Sequence, residues 1–246
     1  YYKNYLAIAF QGWPKWKDLD ILNKLIAFYQ EWGFGKLCRY NVIRWQKEFV
    51  GIINPDPIRM RDLIGYQFQK DAITNNTLAF IKHNKGNNLL LYGERGTGKS
   101  SMVKAIANEY ATSGLCLVDL PRIYMTDIPK IINELKREPR HYVIFLDDLS
   151  FDGVDKEYKE LKAILEGGME TLPGNVLIYA TSNRRHLVTE SWRDREKWGD
   201  EINKNDTLSE KLSLADRFGQ TITFPSPEQD EYLAIVIGLA KAAGIE

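Results

Sequence analysis

The feature that most constrains this chain is a glycine-rich loop, residues 93–100, between an apolar run and a helical pattern. The run before it is Leu89-Leu90-Leu91-Tyr92, and the segment after it repeats apolar residues at helical spacing. Glycines open backbone angles that let successive N–H groups turn toward an anion, and a helix N-terminus adds positive potential. A glycine-rich turn arising by chance would not need this strand–loop–helix setting, which predicts a phosphate-binding site.

The loop spacing G-x-x-x-x-G-K-S is the Walker A pattern, which gives individual residues a role. We expect Lys99 to contact the β- and γ-phosphates of ATP and the Ser100 hydroxyl to ligate Mg²⁺. The other positions offer backbone N–H groups. The residues expected to hold the nucleotide are Gly93, Glu94, Arg95, Gly96, Thr97, Gly98, Lys99, Ser100 and Ser101.

Short apolar runs alternate with helical patterns through the rest of the chain. Strands are predicted at residues 88–92, 115–119, 142–146, 176–180 and 221–224, and the intervening helices at residues 99–110, 127–137 and 155–165. Strands that are apolar throughout and separated by helices indicate a parallel sheet covered on both faces. The predicted fold is therefore α/β, with a five-stranded parallel sheet sandwiched by helices.

Polar residues follow two of these predicted strands directly. The run 142–146 ends in Asp147 and Asp148, and the run 176–180 is followed by Thr181, Ser182 and Asn183. Ligands of α/β sheets sit at the carboxyl ends of strands. We predict that Asp147 holds Mg²⁺, that Asp148 activates the attacking water, and that Asn183 helps to hold that water. Taken alone, an acid pair also occurs in caps and turns, and a loop asparagine is common.

A further candidate, Arg217, lies in Ser213-Leu214-Ala215-Asp216-Arg217-Phe218-Gly219, just before the last predicted strand. Its guanidinium could act as an arginine finger on a γ-phosphate. The alternative is a surface arginine paired with an acid such as Asp216, which would contribute little. The sequence leaves open whether the phosphate would be bound by the same subunit or by a neighbour.

The order of these features resembles the AAA+ ATPase superfamily from about Asp62 onward. The resemblance implies that Asn183 is the residue called sensor 1, and that Arg217 works across the interface of a nucleotide-dependent homo-oligomer. It also implies that the segment Asp62-Leu63-Ile64-Gly65-Tyr66 wraps around the adenine, with Ile64 and Tyr66 as base contacts. Simple packing of these two side chains against the sheet is an equal alternative.

In finer detail, the segments around Gly65, residues 91–101 and residues 213–219 resemble an uncharacterised bacterial AAA+ family, catalogued as a domain of unknown function. The likeness to the ATPases that load replicative helicases is weaker. Two departures stand out. The second acid is Asp148 where AAA+ proteins usually have glutamate, which predicts slow hydrolysis if the water is misplaced. No residue of this chain can be assigned to the lid arginine called sensor 2.

The domain organisation follows from composition and spacing. Residues 1–54 are predicted to form a helical module, with one helix carrying Leu22, Leu25, Ile26 and Tyr29 and a second suggested by Val42, Trp45 and Phe49. Its tryptophans are expected in the core of the module rather than on a partner-binding surface. Residues 55–61, with two prolines, form a linker, residues 62–224 the nucleotide-binding core, and residues 225–246 the start of a helical lid.

Composition limits the partners and the cellular compartment that we expect for this chain. Lys+Arg and Asp+Glu both number 33, so net charge gives no general attraction to nucleic acid or to anionic membranes. Cys38 and Cys116 are far apart in sequence and neither belongs to a C-x-x-C pair, so a disulfide framework or a zinc site is not expected, which favours reduced thiols in the cytoplasm. No secretory signal or membrane-spanning run is evident.

Three functions remain open at this point. The first is an ATPase that remodels or loads a macromolecule, with Tyr124 as a residue that could grip a peptide, although packing of Tyr124 is the more expected role. The second is an ATP-dependent switch with little intrinsic hydrolysis, bound to a protein or to DNA. Residues 184–211 mix both charges, so DNA binding there is the minority interpretation. The third, a metabolic kinase, is disfavoured by the Asn183 and Arg217 pattern.

Overall fold

The computed structural model describes residues 19–33, 35–149, 156–167, 172–183, 214–242 and 244. The α-helices in this part of the chain are α1 (Leu19–Trp32), α2 (Gly35–Arg39), α3 (Gln67–His83), α4 (Lys99–Glu109), α5 (Ile128–Leu135), α6 (Lys156–Leu165) and α7 (Gln229–Ala242). The strands are β1 (Val42–Trp45), β2 (Phe49–Gly51), β3 (Leu89–Gly93), β4 (Leu115–Asp119), β5 (His141–Leu146), β6 (Val176–Ser182) and β7 (Gln220–Phe224).

The strands form one sheet in the order β2-β1-β4-β5-β6-β3-β7. Every neighbouring pair is parallel except β1 with β2. Residues of β5 alternate between two buried clusters, with Ile144 in one and Val143 and Phe145 in the other. Burial of both faces explains why the central strands are apolar throughout. The predicted α/β fold is confirmed, with seven strands in the sheet instead of the expected five.

The two additional strands correct the prediction of a second N-terminal helix. Val42, Trp45 and Phe49 belong to a β-hairpin that turns at Lys47, which has φ 64°. Trp45 and Phe49 are directly paired across the hairpin, with ring centroids 4.9 Å apart. Two cross-strand partners around a short turn can have the i, i+4 spacing that we interpreted as helical. The hairpin extends the sheet through β1–β4 pairing, so residues 42–51 form strands where a helix was expected.

The first predicted N-terminal helix and the expected burial of two tryptophans agree with the structure. α1 ends at Trp32, and Gly33 follows with φ 77°. Trp45 is fully buried and Trp32 nearly so, as expected for core tryptophans, whereas Trp13 and Trp16 lie outside the described residues. The division of the chain into module, linker, core and lid stays a prediction. Within the described segments, no helix has both the length and the apolar character needed to span a bilayer.

A buried arginine joins the N-terminal segment to the sheet. Arg140 is 1% exposed. It donates hydrogen bonds to the carbonyl oxygens of Leu37 and Tyr40, both at 2.9 Å, and of Leu115 at 3.0 Å. It also donates to the Asn41 side chain at 2.9 Å. One side chain thus satisfies acceptors in the segment before β1 and on β4, and we infer that it holds the hairpin against the sheet.

We expect Arg140→Met to destabilise the fold by about 3 kcal/mol or more, because it leaves several buried carbonyls without a donor. For a chain of this size that corresponds to a fall of about 6–12 °C in the thermal unfolding midpoint. The matched control is Arg137→Met, since Arg137 is exposed and lies three residues away. Equal unfolding midpoints for the two variants would contradict the role given to Arg140.

Candidate functional site

The predicted phosphate loop lies between β3 and α4, as the strand–loop–helix pattern requires. β3 ends at Gly93 and α4 begins at Lys99, with Ser101 in its first turn. Gly96 and Gly98 have φ of 79° and 84°, in the left-handed region that favours glycine. A Cβ added to Gly93 would sit 1.9 Å from the Phe224 carbonyl oxygen, so only glycine fits there. Glu94, Arg95 and Gly96 form the exposed tip of the loop.

Lys99 is buried beneath this loop, with 6% of its surface exposed. Its Nζ donates to the carbonyl oxygens of Gly93 at 2.9 Å and Glu94 at 2.5 Å. Burial lowers the pKa of Lys99, and the negative charges of Asp148, Asp147 and Glu94 oppose that shift. The ammonium is therefore desolvated and hydrogen-bonded to neutral carbonyls. An anionic oxygen would be a stronger partner for it.

The polar residues that follow β5 and β6 lie close to the loop. The Ser100 hydroxyl donates to Asp147 Oδ1 at 2.6 Å, and the Asn183 amide donates to Asp148 Oδ1 at 2.5 Å. These contacts join α4, the end of β5 and the end of β6, because β5, β6 and β3 are adjacent parallel strands. The structure thus brings Ser100, Asp147, Asp148 and Asn183 together, and the two acids also lie near enough to Lys99 to affect its pKa.

One residue of this cluster was not singled out from the sequence. Thr181 is 1% exposed, and its hydroxyl donates to Asp147 Oδ1 at 2.7 Å. The Thr181 hydroxyl oxygen accepts the backbone N–H of Asp148 at 2.9 Å. The available signal was its place in Thr181-Ser182-Asn183, after a predicted strand. β6 continues to Ser182, two residues beyond the predicted end, so Thr181 lies within the sheet.

The predicted adenine segment lies between the end of β7 and helix α7. The Tyr66 hydroxyl donates to the Pro225 carbonyl at 2.9 Å, and its ring centroid is 5.4 Å from that of Phe224. Ile64 packs closely against α7, since a Cβ added to Gly238 would lie 2.6 Å from Ile64 Cδ1. Phe224 also abuts Gly93, so the segment is next to the loop. The packing is observed, and contact of Ile64 and Tyr66 with a base stays a prediction.

Arg217 is not part of this cluster. It ends a short 3₁₀ turn, Ala215–Arg217, and its Nε lies 3.1 Å from Glu166 Oε1. Parallel pairing of Leu89 with Gln220 and of Gly93 with Phe224 places Arg217 before the amino end of β7. The phosphate loop follows the carboxyl end of β3, about 13 Å away along a five-residue strand. Arg217 therefore lies at the edge formed by the amino ends of the parallel strands, and the loop of the same chain lies at the opposite edge, formed by their carboxyl ends.

Two other sequence features have different outcomes. Tyr124 is partly buried and packs against the buried cluster that contains Ile144, in agreement with the packing role. The adjacent Ile123 is 79% exposed. The mixed-charge segment 184–211 lies outside the described residues.

A protein-family model described as "Protein of unknown function (DUF815)" matches residues 38–246. The chain belongs to the DUF815 family. Among curated proteins, it is 30% identical over 170 residues to a 26S proteasome regulatory subunit homolog of Methanocaldococcus jannaschii, covering 63% of the DUF815 chain. It is 37% identical over 81 residues, or 31% of the chain, to the 26S proteasome regulatory subunit 4 homolog of Dictyostelium discoideum. The DUF815 chain spans 39% and 18% of the lengths of these relatives.

Among solved structures, AMPPCP-bound DnaA from Aquifex aeolicus superposes with a TM-score of 0.51 at 17% identity. The match covers 79% of the DUF815 chain and 58% of the DnaA chain. At this identity the likeness concerns the fold. The family match confirms the predicted family of unknown function, and the observed fold agrees with the AAA+ resemblance of its motifs.

Proposed function

We propose that the DUF815 chain binds ATP with Mg²⁺ at residues 93–100 and hydrolyses it. The observation that carries the proposal is the cluster at the carboxyl edge of the sheet, with Ser100 bonded to Asp147 and Asn183 bonded to Asp148. In this proposal Asp148 orients and deprotonates the attacking water, and Asn183 holds the water and the carboxylate in register. Lys99 exchanges its carbonyl partners for phosphate oxygens.

Two side-chain oxygen atoms near the loop are suitable ligands for Mg²⁺. Ser100 Oγ and Asp147 Oδ1 are both hard oxygen donors, and they lie 2.6 Å apart. The part of the chain that the structure describes has no cluster of three or more His, Cys, Asp or Glu suited to a metal. This agrees with a Mg²⁺ ion that takes one or two protein oxygens and completes its shell with phosphate and water. When bound, the ion neutralises charge on the phosphate oxygens.

We further propose that the active form is a homo-oligomer in which Arg217 reaches the nucleotide of a neighbouring subunit. The position of Arg217 at the opposite edge of the sheet from its own phosphate loop supports an action between subunits. About half of its side chain is exposed, so a second copy of the chain can approach it. Coupling hydrolysis to subunit contacts would let the oligomer remodel or load a macromolecular partner.

Arg217→Ala is expected to lower ATP turnover about 10³-fold, as loss of an arginine finger does, with ATP affinity retained. A mixture with Lys99→Ala subunits should regain part of the turnover, because the Lys99→Ala subunits supply intact Arg217 to working sites. The exposed Arg137→Ala serves as the control and should hydrolyse ATP at the parental rate. Parental turnover in Arg217→Ala, or no recovery in the mixture, would refute the proposed action in trans.

A second candidate function is an ATP-dependent switch with little hydrolysis of its own. It is favoured by the Arg217–Glu166 pair, which leaves a single subunit without a finger at its nucleotide, and by the short acid Asp148. Steady-state ATP hydrolysis over a protein concentration series separates the two. Specific activity that rises with concentration supports the oligomeric ATPase. Tight ATP binding with negligible turnover at every concentration supports the switch.

The relatives, the net charge and the cysteines bear on the partner and the compartment. The curated relatives include proteasome regulatory subunits, so we propose a protein partner, with nucleic acid as the alternative. The balanced charge of the chain gives no support to nucleic acid. Cys38 and Cys116 are both free thiols in the structure, and we propose a cytoplasmic location on that basis.

A further inference from the structure

Two consecutive acids face one site, which an extended strand does not allow. Side chains of successive strand residues point to opposite faces. Asp147 and Asp148 nevertheless both bond to groups of β6 and its end, Asp147 to Thr181 and Asp148 to Asn183. The alternation is broken at Asp148, whose φ is 53°. Aspartate adopts this left-handed conformation more readily than most residues with a Cβ, and neighbouring contacts hold it there.

Those contacts come from Thr181. Its hydroxyl accepts the Asp148 N–H at 2.9 Å, and its carbonyl accepts the Leu149 N–H at 2.7 Å. The turn after β5 is thus held by the hydroxyl and the carbonyl of one residue on the neighbouring strand. With 1% of its surface exposed, Thr181 keeps water from competing for these bonds.

The direction of the hydroxyl proton is fixed by its partners. The Asp148 N–H can only donate, so the hydroxyl oxygen accepts there and is free to donate its proton to Asp147. Asp147 Oδ1 accepts from Thr181 at 2.7 Å and from Ser100 at 2.6 Å. The same hydroxyl therefore sets the orientation of one acid and the backbone of the next.

We propose that Thr181 is the positioning residue of this site, and that its hydroxyl holds the Asp147 carboxylate for the metal and the Asp148 carboxylate for the water. The proposal rests on the proposed function, since that function gives the two acids their roles. Thr181 itself touches neither nucleotide nor water in this scheme. It acts through Asp147 and Asp148.

The test compares Thr181→Val, which keeps the shape and loses the hydroxyl, with Thr181→Ser, which keeps the hydroxyl. Thr181→Ala is measured alongside, because it places no methyl group against Asp147. We expect turnover to fall about 10- to 100-fold in the valine and alanine variants, since small misplacements of catalytic groups are costly. Their Mg²⁺ requirement should rise, while ATP affinity measured in EDTA stays parental. The serine variant should stay within about 3-fold of the parent in all three measurements.

Thr77→Val is the matched control for folding. Thr77 is also a buried threonine, and its hydroxyl bonds to the Ile73 carbonyl and to Tyr179 away from the acids. It should change the unfolding midpoint without changing the Mg²⁺ requirement. A parental Mg²⁺ requirement and turnover in both Thr181→Val and Thr181→Ala would overturn the proposal. So would a serine variant as impaired as the valine variant.

Failure of the proposed hydrolysis can be distinguished from failure of the proposed role of Thr181. If the parent binds ATP but never turns it over, the Mg²⁺ enhancement of ATP affinity replaces turnover as the measurement. Loss of that enhancement in Thr181→Val and Thr181→Ala, with retention in Thr181→Ser, would still support Thr181 while hydrolysis is abandoned. Equal enhancement in all variants would overturn it, and a parent that binds no ATP would overturn both proposals.

Discussion

Lys99→Met is expected to lower ATP affinity at least about 100-fold and to remove measurable turnover. The ammonium of Lys99 is desolvated beneath the loop, which lowers its pKa, and its hydrogen bonds go to neutral carbonyls. A nucleotide phosphate would supply the anionic partner that this buried cation lacks. Methionine keeps most of the apolar stem, so the change removes charge more than packing.

Thermal unfolding measures this effect without relying on hydrolysis. ATP at 100 times its Kd stabilises a protein by about 2.7 kcal/mol, which is about 5–10 °C for a chain of this size. The parent should show this rise, and Lys99→Met should show almost none. Lys104→Met is the control, because Lys104 is on the same helix but pairs with Asp56 at 3.5 Å near the surface. An ATP-dependent rise of parental size in Lys99→Met would refute the site.

Asp148→Asn is expected to reduce turnover about 10²- to 10⁴-fold, the usual contribution of a general base, and to leave ATP bound. Asparagine has the size of aspartate and tolerates the left-handed backbone, so the turn after β5 should persist. The amide of Asn183 would then face another amide instead of a carboxylate. The loop and the hydrogen bonds of Lys99 to its carbonyl oxygens are kept, so ATP affinity should stay within a few-fold of the parent.

Single-turnover experiments separate the two quantities, because they follow bound ATP directly. The control is Asp119→Asn, since Asp119 ends the neighbouring strand β4 but pairs with Arg44 at 2.6 Å. That variant should hydrolyse ATP at nearly the parental rate. If Asp148→Asn does the same, Asp148 is not the base.

The loop was predictable because its information is local. A strand, three glycines, a lysine and a helix lie within one short stretch, and each has its own physical requirement there. The meeting of Asp147, Asp148 and Asn183 was predictable for a different reason. Parallel strands that are neighbours in a sheet end at the same edge, so residues distant in sequence share a site once the strands are identified.

The features that could not be predicted depend on which strands pair with each other in the folded sheet. The helical spacing of Trp45 and Phe49 came from two strands facing each other across a turn, and one sequence cannot separate these cases. The role of Thr181 depends on how the chain leaves β5, which is set by the left-handed conformation of Asp148 and by its hydrogen bond to Thr181 on the neighbouring strand β6. The place of Arg217 at the opposite edge follows from the β3–β7 register, which no local pattern contains.

The position of β3 between β6 and β7 has a consequence for how the chain is made. Its two sheet neighbours, β6 and β7, both come much later in the sequence. A ribosome adding about 5–20 residues per second needs on the order of ten seconds to pass from residue 93 to residue 224. Until β6 is made, the apolar strand that carries the phosphate loop has neither partner, while β4 and β5 can already pair, and it lacks β7 for the whole interval. We therefore expect the nucleotide loop to be among the last parts of the nascent chain to fold, with β3 exposed to chaperones until β7 emerges.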